Sequence, residues 1–398
     1  MEDLRNISVV EPPHCTGCGA CAQRCPTEAI VMAPDHEGFL APVVDEQKCI
    51  HCKACQKVCH TLKQPAYKGG REDLAYAAYL RESKLRQNSS SGGVFAKAAQ
   101  VILREGGVAY GAAWDEKMVV RHIGVTKEAD LKKLQGSKYV QSDTSKVFRA
   151  VQDSLNEGKK TLFSGTPCQV AALYAFLGKD LENLITMDLI CHGTPSPGLF
   201  ERRCTEMGRI TSYRFRTRRK IGAPKSEFIA EVRREGTSSR LIHYDHDAFF
   251  RMFLNGIIFR RACYTCPYAN VSRIGDITIG DCDSADHYGM KYQSMSASTV
   301  ILHSEKGRVL WKEMEGAFES TSLDLELEAK QNAQLSAPFP MPAQREEIFE
   351  TLSTLSWEEI QKKYAKAEGR TAQLKNCLRQ YIPYEFSLKL SRVRGRGK

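Results

Sequence analysis

The chain has 398 residues, 42% apolar and 26% charged, values of an ordinary globular protein of two or three domains that exclude global disorder and a collagen-like or membrane class. Its formal charge of +10 suits acidic partners or an ordinary basic surface, and charge alone gives nucleic-acid binding little support. Cysteine is the departure: of fifteen, eight fall in the first 59 residues. MEDLRNISVV has no basic n-region, apolar core or small-residue cleavage site, so a cytoplasmic location is expected. In a reducing cytosol, dense cysteine reads as metal or redox ligation rather than disulfides. No apolar window reaches the roughly 18 residues of a span, so no transmembrane segment is expected.

The first element is a repeat. Residues 15–25 (CTGCGACAQRC) and 49–59 (CIHCKACQKVC) both read CxxCxxCxxxC. Three cysteines at this spacing wrap one face of a cubane 4Fe–4S cluster, and in two-cluster bacterial ferredoxins the last cysteine of each run serves the other cluster. That pattern assigns Cys15, Cys18, Cys21 and Cys59 to one cluster, and Cys49, Cys52, Cys55 and Cys25 to the other. Zinc favours paired CxxC hooks on one tetrahedral site and fits this spacing poorly. Pro26 follows the first run, whereas His60 stands in that place after the second. His14, His51 and His60 are expected at the surface. Short apolar runs at 29–32 and 42–44 flank a turn at 34–38, which predicts a small hairpin-like β layer. The result is an α+β, ferredoxin-like two-cluster module over 1–65, with residues 63–73, rich in Lys, Gly and Pro, as a linker.

From residue 74 the pattern changes. A strand at 75–80 leads through SSSGG into the helical VFAKAAQVILR; GVAYGAAW and MVVRHIGVT follow as strands, then a polar helix near 127–135 and another at 145–156. A short strand at 161–163 runs into the loop and helix of GTPCQVAALYAFLG, and a strand at 184–190 runs into CHGTPS. Residues 210–219 alternate like a partly exposed strand that EFIAEVRRE can pair with, 245–262 look helical, and 273–281 look like a strand. Repeated strand, loop and helix units predict an α/β domain over 74–305 with a mixed, largely parallel sheet. Residues 306–398 are expected to form a helical region with a basic tail, Lys389, Arg392, Arg394, Arg396 and Lys398, open between plain solubility and peripheral contact with anionic lipid.

A second cysteine set is scattered through the α/β domain. Cys168 and Cys191 follow strands, at the end where an open parallel sheet places its ligand crevice, and Cys263 and Cys266 form a CxxC. Four thiolates suffice for a third cluster; a catalytic thiol at a helix N-terminus (Cys168) or a redox CxxC are the alternatives. Cys204, Cys282 and Cys377 have no evident partner.

In this order the double CxxCxxCxxxC, SSSGGVFA, GSKYVQS, FSGTPCQVAAL, LICHGTPS, RACYTCPYAN and DITIGD resemble the coenzyme F420 hydrogenase/dehydrogenase beta-subunit family, fused to an N-terminal two-cluster ferredoxin. The resemblance spans about residues 10 to 285. It implies an α/β flavin-binding domain with FAD, and Cys168, Cys191, Cys263 and Cys266 as ligands of a third 4Fe–4S cluster. It also implies that Ser90, Ser91, Gly92 and Gly93 lie near FAD, where small residues at a helix start expose N–H groups to a pyrophosphate; a plain helix cap is the alternative. Gly136, Ser137, Lys138 and Tyr139 form a second candidate loop, with Lys138 facing a phosphate or a ring oxygen of the flavin and Tyr139 stacking. Gly165 and Thr166 complete the pocket. Two stretches depart from the family: Gly280-Asp281-Cys282-Asp283-Ser284 and Phe215-Arg216-Thr217-Arg218 stand where members often read GDFWG and FRDK. These departures bear on the substrate rather than the fold.

Clusters pass single electrons, organic acceptors take hydride, and a flavin exchanges both. The expected function is therefore an iron–sulfur flavoprotein oxidoreductase linking a ferredoxin-like carrier to F420 or another small organic substrate. The alternative is a non-catalytic electron-transfer subunit docked on a partner oxidoreductase subunit. His192 is either a proton donor or a residue orienting a cluster ligand, and Lys138 is the other catalytic candidate. Arg214, Arg216, Arg218, Arg219 and Lys220 either hold an anionic substrate or carrier or line a solvated edge strand.

Overall fold

The computed structural model describes residues 6–70, 73–206, 208–218, 226–290, 297–367, 369, 371–382 and 386. The basic tail, Arg219 and Lys220 therefore lie outside the described residues. In the N-terminal module each cysteine run contains one short helix, Ala20–Arg24 and Ala54–Lys57. Between them β1 (Ile30–Pro34) and β2 (Leu40–Val44) pair antiparallel, Ile30 opposite Val44, which is the expected hairpin. Asp35 closes its turn, with Oδ1 accepting from the N–H groups of Glu37 and Phe39 at 2.9 Å each. Gly38 sits in that turn at φ +80° with the Gly198 Cα against it, so a side chain there would collide with the second domain.

The second domain opens with β3 (Leu74–Leu80) and the helix Val94–Arg104, which buries Val94, Ala98, Ala99, Ile102 and Leu103. β4 (Val108–Trp114) and β5 (Val120–Val125) form an antiparallel hairpin. After the helix Val147–Asn156, β6 (Thr161–Gly165) feeds the helix Pro167–Leu177. A Thr166–Gln169 capping box and a proline in the first turn start that helix, and Gly178 at φ 72° ends it. β7 (Leu184–Leu189) follows. The chain then leaves the sheet: β8 (Ile210–Arg214), β9 (Thr217–Arg218), β10 (Ser226–Glu227), β11 (Ile229–Arg234) and β12 (Arg240–His243) build two small antiparallel layers, with β8 and β11 paired as expected. It returns as β13 (Ile277–Asp281), β14 (Ser298–Leu302) and β15 (Phe318–Ser322).

The main sheet has eight strands in the order β15-β3-β14-β13-β7-β6-β4-β5. Only the β4/β6, β6/β7 and β7/β13 pairings are parallel, and the other four are antiparallel. The expectation of a largely parallel sheet is thus corrected. Helical crossovers supply a parallel centre, whereas the β4–β5 hairpin and the returning β14, β3 and β15 make the flanks antiparallel. The region after residue 305 is likewise not wholly helical, since β15 completes one edge.

Helices Val94–Arg104 and Glu305–Met314 cover one face of the sheet over Leu162, Ile185, Ile277 and Val300. Helices Val147–Asn156 and Pro167–Leu177 cover the other over Phe163 and Tyr110. Strands buried on both faces explain the apolar runs of β6 and β7. The outlying layers share a separate aromatic core, Phe200, Phe215, Phe249, Phe250 and Trp357. Several elements are shorter than expected: the helix at 245–262 is confined to Ala248–Leu254, the strand at 273–281 to Ile277–Asp281, and the polar helix near 127–135 is a 3-10 turn, Glu128–Lys133. Among the described residues, no helix is long and apolar enough to cross a membrane.

The linker is stitched down rather than loose. Lys68 Nζ donates to Asp276 at 2.7 Å, Asp180 at 2.8 Å and the Tyr174 hydroxyl at 2.7 Å. The module is docked as firmly. Gln23 donates to the Thr144 carbonyl and accepts from the Phe148 N–H, and Arg260 reaches the Cys15 carbonyl at 2.9 Å. Arg345, with a fully buried side chain, grips Glu37 through two 2.6 Å bonds. Burial works to raise the Glu37 carboxyl, but the Arg345 guanidinium outweighs it and holds the group below its ordinary range.

Candidate functional site

The cysteine runs converge in the crossed arrangement that their spacing suggests. Cys25 lines one small cavity with Cys49, Cys52 and Cys55. Cys59 acts electrostatically on Cys18 and Cys21. Burial pushes the Cys18 thiol up to about 12, and Cys15 and Cys59 add to it. Thiols this buried and this close to one another carry thiolate charge only when a metal shares it. Cys52 is exposed, so the Cys25, Cys49, Cys52 and Cys55 group is the outer one.

His60, expected at the surface, is buried instead, 3% exposed. The second domain covers it: Nδ1 lies 2.8 Å from the Tyr268 hydroxyl and Nε2 lies 2.9 Å from Thr16 Oγ1. Burial lowers its pKa to about 4, so the imidazole is neutral. His14 and His51 are exposed.

The scattered cysteines also meet. Cys168, in the first turn of its helix, Cys191, just past β7, and Cys263 and Cys266 line a single cavity of about 220 Å³. Burial pushes Cys191 up to about 12 and Cys266 to about 11, with Cys263 adding to both. Burial, and then Cys266, also raises Cys168, against the lowered value that a reactive thiol at a helix N-terminus would have. Cys204 and Cys282 are buried in apolar clusters elsewhere.

A second cavity, of about 700 Å³, opens beside the first, and the stretch Cys191, His192, Gly193 and Thr194 borders both. Ser90, Ser91 and Gly93 line it from one loop, Gly136, Ser137, Lys138 and Tyr139 from another, and Gly165 and Thr166 from the end of β6. Ser90 Oγ joins the first two by accepting from the Ser137 N–H at 2.7 Å. Gly92 stands behind the loop, its N–H spent on Ser298 Oγ at 2.9 Å. Gly93 itself caps the helix at φ 89° with no side-chain cap, so serine capping does not account for SSSGG. Lys138 Nζ donates to the carbonyls of Gln135 at 2.9 Å and Lys133 at 3.1 Å, and burial lowers its pKa to about 7. An anion beside it would restore the charge. Tyr139 stacks on Phe253 at 4.6 Å. His192 is enclosed by Phe253, Phe259 and Phe339, with Nε2 on the Leu254 carbonyl at 3.1 Å.

The arginines of 214–218 are not a solvated edge. Arg216, with a side chain 2% exposed, pairs with Asp281 at 2.7 Å and borders the cavity. Arg218 braces the Ser89 and Ser91 carbonyls, and Arg214 the Gln87 carbonyl. Three residues escaped the sequence reading as site residues. His122 borders the cavity between Ser142 Oγ at 2.8 Å and the Ser164 carbonyl at 3.0 Å; the alternation of β5, with Val120 and His122 inward and Arg121 outward, carried that signal. Asp281 ends β13 and Asp283 follows two residues beyond it, both lining the cavity. Asp283 is exposed at the cavity, yet desolvation by the surrounding protein, then Glu328 and Asp281, raise its carboxyl to about 7.

Two family models match the chain. One is the "4Fe-4S dicluster domain", over residues 14–62, and the other is the C-terminal part of the "Coenzyme F420 hydrogenase/dehydrogenase, beta subunit", over 158–326. Among solved structures, the chain is similar to one from the F420-reducing NiFe hydrogenase complex of Methanosarcina barkeri, at 17% identity and a TM-score of 0.44, covering 67% of this chain and 92% of that one. No curated protein matches it.

Proposed function

The chain belongs to the coenzyme F420 hydrogenase/dehydrogenase beta-subunit family through residues 158–326 and carries a 4Fe–4S dicluster domain at 14–62, and we propose from this premise that it is an iron–sulfur flavoprotein oxidoreductase. It passes electrons between a ferredoxin-like carrier and a small organic substrate, F420 or another hydride acceptor. The observation that carries this reading is the wall from Cys191 to Thr194, shared by the four-cysteine cavity and the 700 Å³ cavity. The larger cavity is of the size of small-molecule sites, roughly 300–1,000 Å³.

Cys15, Cys18, Cys21 and Cys59 hold one cluster, Cys25, Cys49, Cys52 and Cys55 a second, and Cys168, Cys191, Cys263 and Cys266 a third. FAD fits the larger cavity because small residues let backbone approach, and a half-buried lysine whose Nζ meets only carbonyls favours an anion. Bound there, FAD supplies the exchange between single electrons and hydride. Lys138 holds negative charge, Ser90, Ser91, Gly93, Gly136 and Ser137 shape the floor, and Gly165 and Thr166 border the cysteine side. Asp283 holds or releases a proton at its carboxyl where substrate enters, and His192 orients the Cys191 turn.

Anaerobic reconstitution tests this. About 12 irons per chain, four for each of three clusters, together with one FAD support it; zinc without flavin overturns it. Reduced protein that is reoxidised only when a partner oxidoreductase subunit is added would instead assign the electron-transfer subunit role.

A further inference from the structure

The two inner cysteine groups face each other across the domain boundary. Cys18 packs with Cys168 and Cys266 against the apolar cluster that contains Val58 and Tyr268. Cys168, Cys266 and Cys18 all act electrostatically on Tyr268. The outer group, with Cys52 exposed, lies in a cavity of its own.

Several polar contacts cross this seam among the described residues: Thr144 donates to the Cys18 carbonyl at 2.7 Å, Gln141 to the Thr16 carbonyl at 2.8 Å and Arg260 to the Cys15 carbonyl at 2.9 Å, whereas the contact of His60 with Tyr268 joins two side chains inside the apolar packing. His60 directly follows Cys59, and Tyr268 stands two residues after Cys266. Their side chains meet at 2.8 Å, with ring centroids 5.9 Å apart. A neutral imidazole has one donor and one acceptor nitrogen. Thr16, in the first ligand loop, occupies one and Tyr268 the other, so the ring is held by both ligand loops at once. Tyr268 is itself fixed, since its carbonyl accepts from the fully buried Arg273 at 2.6 Å. From Cys59 to Cys266 the route is covalent except for this one hydrogen bond. Electronic coupling decays more slowly along covalent and hydrogen bonds than across van der Waals gaps. Proline at position 60 would have no polar side chain with which to make the link.

We propose that the His60–Tyr268 hydrogen bond is the electron bridge from the Cys15, Cys18, Cys21 and Cys59 site to the Cys168, Cys191, Cys263 and Cys266 site. This rests on the reading that the scattered cysteines hold a third cluster. It sets the order of transfer: outer group, inner group, scattered group, then the large cavity. Each crossing oxidises the inner group by one electron and reduces the scattered group by one; no covalent bond forms or breaks, and no proton leaves the bridge. The reductant is a reduced ferredoxin-like carrier at the outer group.

The test mixes the reconstituted full chain with a reduced bacterial ferredoxin and follows electron arrival at each cluster by freeze-quench EPR. Tyr268→Phe removes one oxygen and keeps the ring packing. It is expected to retain about 12 irons per chain and the wild-type spectrum of the fully reduced protein, while transfer to the scattered group slows about tenfold. His60→Phe behaves alike, and His60→Gln, which keeps a donor and an acceptor, recovers most of the rate. Unchanged transfer in Tyr268→Phe and His60→Phe, with iron complete, overturns the bridge alone. Wild-type protein holding only about 8 irons per chain overturns the third-cluster reading and the bridge with it.

Discussion

The two sets of cysteines in this chain are built in opposite ways. The N-terminal eight lie in two short runs, and each loop gathers three cysteines locally, with the last cysteine of each run, Cys25 and Cys59, placed beside the other run. The scattered four come from a helix start, a strand end and a 3-10 turn spread over about a hundred residues, and nothing but the packed α/β domain brings them to one cavity. A local set depends on its loops, whereas a dispersed set depends on the whole fold. Damage to the sheet should therefore reach the second before the first.

The sharpest way to break this comparison is to remove one ligand from each set. Cys266→Ser should lose about four irons per chain and leave the N-terminal clusters spectroscopically intact, while Cys55→Ser should lose about four from the outer site alone. An iron assay that finds zinc in the wild-type scattered site, or no iron lost from Cys266→Ser, removes the third cluster from the scheme. Next in size is the clamp between domains. Arg345→Ala removes both 2.6 Å bonds to Glu37 and leaves it the 3.6 Å ion pair with Arg261, so it should destabilise the docked module by up to about 3 kcal/mol, read as a lower denaturation midpoint. A midpoint unchanged within error would mean that the buried pair contributes nothing net. The sign with pH follows from the lowered Glu37 carboxyl. Its stabilisation is complete above the ordinary value of 4.5 and is lost as pH falls through the lower folded value.

Smaller effects probe the cavity. Lys138→Met should weaken flavin retention by about 1.5–3 kcal/mol, the range of a hydrogen bond to a charged group, as measured by fluorescence titration of the apoprotein. Equal affinity would place the anion elsewhere. Asp283→Asn should erase an inflection near pH 7 in the turnover profile, where the raised carboxyl titrates; an inflection that persists assigns it to another group. The smallest effect expected is at the Thr166 cap. Thr166→Ala removes a capping box beside Cys168 and should cost about 1 kcal/mol, too little to displace the cluster if packing rather than capping holds the cysteine there.

Much of the strand and helix order was legible because each element carries its own period: Ala75 to Leu80, the amphipathic Val94–Arg104 and the apolar β6 and β7 all read locally. Strand direction was not legible. The antiparallel return of β14 and the edge placement of β15 depend on which strand a segment pairs with, and its own residues leave that open. Arg216 and Arg218 were open in the same way. Two positive charges in an alternating strand suit either solvent or an anion, and it is Asp281 and the Ser89 and Ser91 carbonyls, distant in sequence, that let both be buried.

By itself the sequence carried the ligand spacing of the N-terminal dicluster domain, because thiolate spacing within a loop is a property of the loop, and it carried the family resemblance, because the motif order survives without coordinates. The tertiary structure alone decided adjacency. It joined Cys168, Cys191, Cys263 and Cys266 into one cavity, set that cavity against the larger one, and turned His60 from an oddity after a cysteine run into a buried contact with Tyr268. The physical reason is that burial and hydrogen bonding between distant residues arise only when the sheet, its covering helices and the ferredoxin module pack together, and no local pattern records that packing.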